Sequence, residues 1–164
     1  MIILGIDPGL QKTGWGIVRS EGSLLKFIAC GLIKTNVADD LAQRLVQIHK
    51  ELSHIVTMYR PDTAAIEETF MNNNAASALK LGQARGVAMA VPAILGVPVS
   101  EYAANLVKKS IVGTGHAQKG QMGMMIKVLL PSCGQIGEDE ADALAVAITH
   151  AHHGQWNNIA KVLT

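Results

Sequence analysis

Hydrophobic and polar positions follow two alternating periods along the chain, and each change of period marks an element. Residues 2–6 form a continuous apolar run that stops at Asp7-Pro8-Gly9. A run this short, closed by a turn, reads as a strand buried on both faces. Residues 14–18 and 24–33 read as two more strands and complete an antiparallel meander. From Asp39 or Asp40, a predicted N-cap, Leu41, Leu45, Ile48, Leu52, Ile55 and Val56 recur at helical spacing up to Met58. Arg60-Pro61-Asp62 breaks that helix, and Ala64-Ala65-Ile66 forms a short core strand with Glu67 at its end. Asn72, Asn73 and Asn74 offer N-caps for a long helix running to about Ala90, and Pro92 is expected to end or kink it. A last strand at 97–100 and helices at 103–111, 117–130 and 138–153 complete the reading. Three antiparallel strands, then strands alternating with helices, make a mixed α/β sheet.

The long helix has an unusual surface. Ala75, Ala76, Ala78, Leu79, Leu81, Ala84, Val87, Ala88, Met89 and Val91 wrap most of it, with no single apolar stripe. Such a helix is covered on two sides. The second cover is either the protein's own neighbouring elements or another subunit, and the pattern leaves both open.

Composition narrows the class. The 164 residues suit one domain, and 49% of them are apolar, enough for a full core. No run of about 18 apolar residues exists to span a membrane. The opening MIILGIDPG lacks the charged start and cleavage site of a signal peptide. Cys30 and Cys133 have no CxxC spacing and read as buried or idle thiols of a cytoplasmic protein. A net charge of +1 is low for a nucleic-acid binder. The acids, however, concentrate in short motifs around Asp7, at Glu67–Glu68, and at Glu138, Asp139, Glu140 and Asp142. Cations bound there would cancel that charge locally and leave a basic surplus elsewhere.

Asp7 and Glu67 each stand where a core strand ends, the place where a rigid backbone presents a side chain to a crevice. Acids at strand ends are common, and either residue alone says little. Asp139 and Asp142 are three apart on a predicted helix and share a face. Favourable interaction with the helix dipole accounts for Glu138 and Asp139 but poorly for Asp142. Four convergent carboxylates would suit Mg²⁺ or Mn²⁺. Two such ions about 4 Å apart can activate a water and stabilise the leaving oxygen of a phosphodiester.

Lys119 falls in the loop Gly113-Thr114-Gly115-His116-Ala117-Gln118, entering the next predicted helix. A lysine in a first helical turn opposes the dipole, so either a nearby phosphate or simple solvation explains it. Lys108 and Lys109 close the preceding helix and suit its dipole. Phe70 reads as a hydrophobic staple for the Asn-capped helix, or else as a stacking surface for a base. His150, His152 and His153 cluster near a predicted helix end, where imidazoles also suit the dipole. Met122, Met124 and Met125 read as core filler.

Four motifs, GIDPGLQKTGWG, AIEETFMNNNAASALKLGQARG, EYAANLVKKSIVGTGHAQKGQM and DEADALAVAITHAH, resemble the bacterial RuvC Holliday-junction resolvases, in order, from about Ile3 to His152. The resemblance implies a ribonuclease H-like fold and a homodimeric, Mg²⁺-dependent endonuclease, with two ions per site, that nicks opposed strands of a four-way junction. It assigns metal binding to Asp7, Glu67, Asp139 and Asp142, and places Lys108 and Lys119 near the scissile phosphate. It favours Phe70 as an aromatic at the junction crossover, and the long helix as the dimer element. Lys80, Arg85 and Lys109 are the further expected DNA contacts. Implied partners are the junction-binding protein RuvA and the branch-migration motor RuvB. Two departures stand out: Pro92 within the interface helix, and no basic stretch after His153. The first motif also resembles the phosphate loop of actin-like ATPases and sugar kinases, but no second phosphate hairpin follows. A non-enzymatic junction binder would be at odds with four intact carboxylates. A related nuclease acting on RNA–DNA hybrid would keep all four.

Overall fold

The computed structural model describes residues 1–68, 74–113 and 120–162, with side chains as far as Gly154. Its elements are β1 (Ile2–Asp7), β2 (Lys12–Glu21), β3 (Leu24–Lys34), α1 (Leu41–Tyr59), β4 (Thr63–Glu68), α2 (Ala75–Ile94), β5 (Val99–Ala103), α3 (Ala104–Val112), α4 (Gln121–Leu129) and α5 (Glu138–Val162). The strands form one sheet in the order β3-β2-β1-β4-β5. β1 pairs antiparallel with β2 and parallel with β4, and β4 pairs parallel with β5. This is the mixed sheet that the sequence pattern implies.

Strand alternation sorts the core into two layers. Leu4, Ile6, Ala64 and Ile66 face α1 and α2, with Ile48, Leu52, Ala84 and Ala88. Ile3 and Ala65 face α5, with Leu144, Ala147 and Ile148, and α3 and α4 close that layer from outside. From Ala143 to Ala151 every residue of α5 is buried, so within one protomer α5 is covered all round. α2 packs on α1 through Ala84, Ala88 and Val91, and leaves Leu79 and Ile94 65% and 74% exposed.

Several elements differ from the sequence-based expectation for local reasons. α2 passes through Pro92, whose missing N–H takes one bond from the Ala88 carbonyl, and the helix ends two residues later at Ile94. β5 starts at Val99, the first residue in register with β4, because Pro98 has no N–H to give and joins the ladder only by accepting from Ala64 N–H at 2.8 Å. α4 begins at Gln121, after Gly120 at φ 86°. α5 runs on to Val162, so His150, His152 and His153 lie within the helix and not at its end. Met122 and Met125 pack on the core as expected, but Met124 is 71% exposed beside Val128, one turn on along the outer face of α4. Asp40 precedes α1 without a side-chain capping bond, whereas Asn74 caps α2 by accepting from Ala76 and Ser77 N–H. No described helix is long and apolar enough to cross a membrane.

Candidate active site

Asp7 and Glu67 end two adjacent parallel strands, with Ile6 beside Ile66 in register. Counting by twos from Ile3 and Ala65, both acids fall on the α5 side of the sheet. Glu68 falls on the other face and is exposed. The start of α5 lies over this end because three strand positions lack side chains. A Cβ on Gly5 would overlap the Ala143 carbonyl, one on Gly14 the Asp139 carbonyl, and one on Gly16 the side chain of Leu144. Gly14 is the β2 partner of Asp7. Helix backbone therefore rests on strand backbone, and Asp139 and Asp142 come down beside Asp7.

The turn after Asp7 is tied at several points. Thr13 Oγ1 donates to Gly9 O at 2.7 Å and accepts from Gly9 N–H at 3.3 Å. Thr35 Oγ1 donates to Leu10 O at 2.6 Å, and the Arg44 guanidinium donates to Thr35 Oγ1 and to Leu10 O. The end of β4 is held from the other side by Arg85, whose Nε donates to Glu67 O at 3.3 Å while its guanidinium pairs with Glu101. Arg85, expected from the resemblance to touch DNA, is thus engaged within the protein. The Arg85–Glu101 pair and the ties of Thr35 and Arg44 to Leu10 are not legible in the sequence, since they join residues distant along the chain.

The electrostatics show how tightly the acids are grouped. Burial, then the charges of Asp142, Glu67 and Asp139, push the Asp7 carboxyl up to about 8. Glu67 is raised by burial and by Asp142. Asp142 is raised by burial, Asp139 and Glu138. Lys108, exposed on α3, pulls both Glu67 and Asp142 back down. Burial and neighbouring charge oppose the joint ionisation of Asp7, Glu67 and Asp142, and a compensating cation would relieve it. The donors are oxygens alone, which fits a hard divalent ion. Among the described residues the side chains as they stand form no ready cage of three or more ligands, so closing on an ion would take side-chain rotation.

The remaining expected residues are dispersed. Lys109 is exposed in the last turn of α3. Lys80 is exposed on α2 and, with Gln11, Arg44 and Ser77, lines a groove of about 450 Å³ on the face of the sheet opposite α5. Phe70 and Lys119 lie outside the described residues. His150 and His153 serve as internal hydrogen-bonding groups, His153 with Ser110 at 3.0 Å. Both cysteines are free, and burial pushes the Cys30 thiol up to about 11.

An acidic centre at the carboxyl end of neighbouring parallel strands, roofed by the start of a buried helix, is the site of a ribonuclease H-like protein. The family model for crossover junction endodeoxyribonuclease RuvC matches residues 3–150, and the chain belongs to that family. It is 57% identical over 151 residues to the crossover junction endodeoxyribonuclease RuvC of Rhodopseudomonas palustris, covering 92% of this chain and 87% of the relative. It is 57% identical over 164 residues to that of Paramagnetospirillum magneticum, covering 99% of each. The structure of Thermus thermophilus RuvC in complex with Holliday junction substrate superposes with a TM-score of 0.88 at 31% identity, covering 96% of each chain.

Proposed function

We propose that this chain resolves four-way DNA junctions by hydrolysing phosphodiester bonds in two opposed strands, at a divalent-metal centre built by Asp7, Glu67, Asp139 and Asp142. Family membership supports the endonuclease activity, and the relative bound to a Holliday junction supports the substrate. The observation that carries the assignment of residues is that the Gly5, Gly14 and Gly16 contacts bring the start of α5, with Asp139 and Asp142, down over the strand ends that carry Asp7 and Glu67. There burial and neighbouring acids raise three of the four carboxyls. Mg²⁺ or Mn²⁺ would stabilise such a pocket, and two ions per site would serve both the attacking water and the leaving oxygen.

When bound, the metal supplies Lewis acidity and a water of lowered pKa. The protein's part is to hold Asp7 and Glu67 at the ends of β1 and β4 and to bring Asp139 and Asp142 down on them from the start of α5. Lys108 lies close enough to influence Glu67 and Asp142, and an ammonium there would meet the charge that builds on the phosphate oxygens. Lys119 and Phe70 keep the roles the resemblance gives them, beside the phosphate and at the crossover. Lys109 and the groove of Arg44 and Lys80 offer further phosphate contacts.

Two symmetric cuts call for two centres related by a twofold axis. The uncovered face of α2, with Leu79, Gly82, Gly86, Ala90 and Ile94, is the surface for a second copy. RuvA and RuvB are the partners this role implies, in the bacterial cytoplasm. The test is incubation with four-way junction, linear duplex and RNA–DNA hybrid, with and without Mg²⁺. Paired nicks confined to the junction and dependent on Mg²⁺ are expected; preference for hybrid or duplex would refute the reading.

A further inference from the structure

Three polar side chains, His150, Tyr102 and Thr63, meet in the α5 layer beside the strands that carry the acids. His150 is 5% exposed, and burial lowers its pKa, so the ring is held neutral. Its Nδ1 lies 2.8 Å from the Tyr102 hydroxyl and its Nε2 lies 3.1 Å from Thr63 Oγ1. Thr63 Oγ1 in turn donates to the Pro98 carbonyl at 3.2 Å. One ring nitrogen of the neutral imidazole donates and the other accepts, with Thr63 and Tyr102 facing the two nitrogens and Ser100 as a further partner of Tyr102.

These bonds join three elements that the carboxylates also use. Thr63 opens β4, which carries Glu67 near its end. Tyr102 belongs to β5 and is the register partner of Glu67. His150 stands about two turns along α5 from Asp142. The other α5 groups packed against the sheet, such as Ala143, Leu144, Ala147 and Ala151, are apolar. Their attraction has no preferred direction, so beyond the close approach at Gly5, Gly14 and Gly16 it adds little that fixes α5 along the strands. The hydrogen-bonded cluster does have direction, and a fully satisfied buried network fixes one arrangement. Gly154 leaves room for it, since a Cβ there would stand 3.0 Å from the His150 ring.

We propose that His150, held by Tyr102 and Thr63, is a positioning residue that sets α5 against β4 and so fixes the separation of Asp142 and Asp139 from Glu67. The proposal rests on the metal-centre reading above and deepens it. Loss of the cluster spoils the fit of the carboxylates around an ion without removing any of them.

The experiment compares Tyr102→Phe, His150→Leu and His150→Gln with the parent protein. Glutamine can present an amide N–H to one partner and a carbonyl to the other, whereas leucine can present neither. The readouts are Mn²⁺ bound, followed by the electron paramagnetic resonance of the free ion, and the Mg²⁺ concentration giving half-maximal junction cleavage. Tyr102→Phe and His150→Leu are expected to weaken both by about ten-fold, the low end of losses for groups that orient ligands. His150→Gln is expected to recover most of that loss, with metal-free junction binding equal in all four proteins. Unchanged Mn²⁺ affinity in folded Tyr102→Phe overturns the proposal, and so does a Gln variant as impaired as the Leu variant. Should His150→Leu fail to fold, Tyr102→Phe still decides. A parent protein that binds no Mn²⁺ instead overturns the metal centre itself.

Discussion

The carbonyl of Asp139 lies so close above Gly14 that no side chain fits between them, and Gly14 is the strand partner of Asp7. The contact sets the height of α5 over the sheet and with it the reach of Asp139 and Asp142. Gly14→Ala would force the first turn of α5 outward. Overpacking of this kind costs about 1–3 kcal/mol, and a shift of even 1 Å at a catalytic centre can cost about a hundred-fold in rate. The variant should melt lower than the parent protein and lose most of its cleavage while still binding junction DNA. Wild-type cleavage by Gly14→Ala would mean that the helix height is not what aligns the acids.

Asp7 makes the metal-free protein sensitive to pH. Its carboxyl titrates near 3.8 when unfolded and near 8 when folded. Below the first value both states are protonated and the group contributes nothing. As pH rises between the two, only the unfolded state has lost the proton, so stability falls, and the full penalty is present above about 8. The raised carboxyls of Glu67 and Asp142 act with the same sign. Asp7→Asn removes the largest part. In EDTA, thermal melts should show this variant stabilised relative to the parent protein at pH 8 and much less so at pH 5. A difference independent of pH would contradict the buried, crowded setting of Asp7.

Lys108 opposes the elevation of Glu67 and Asp142. Without it both acids hold their protons to higher pH, and ligation by carboxylate requires deprotonation. Lys108→Ala should therefore move the alkaline rise of the cleavage rate to higher pH, and added Mg²⁺ should move it back. A rate lowered by one factor at every pH would assign Lys108 to the phosphate alone.

Gly86 sits on the uncovered face of α2, where an added Cβ meets nothing within 4 Å. Gly86→Arg should leave the protomer folded but block a second copy from approaching. Sedimentation should give a dimer for the parent protein and a monomer for the variant, with paired nicking lost. A dimeric Gly86→Arg protein would move the interface elsewhere.

Much of this architecture is legible in the sequence because its signals are local. The apolar run before Asp7, the period of α1 and the Asn74 cap each report on neighbouring residues, and the strands and helices appear where these fall. Asp139 and Asp142 share a face by spacing alone. What places them over Asp7 is the absence of side chains at Gly5 on β1 and at Gly14 and Gly16 on β2, and a glycine's partner across a layer leaves no trace in its own neighbourhood. The same holds for Arg85, which sequence casts as a DNA contact and the fold joins to Glu67 and Glu101. The histidines show the limit most clearly. Their place on α5 suits a helix end only if the helix stops there, and His150 finds its partners on two strands that precede it by many residues.

The central claim is that Asp7 belongs to a metal centre that cuts a four-way junction, and single-turnover cleavage by Asp7→Asn tests it most directly. With end-labelled junction and Mg²⁺, the parent protein should give paired nicks at opposed strands, and Asp7→Asn should bind the junction with similar affinity and give none. Continued Mg²⁺-dependent nicking by Asp7→Asn would contradict the account.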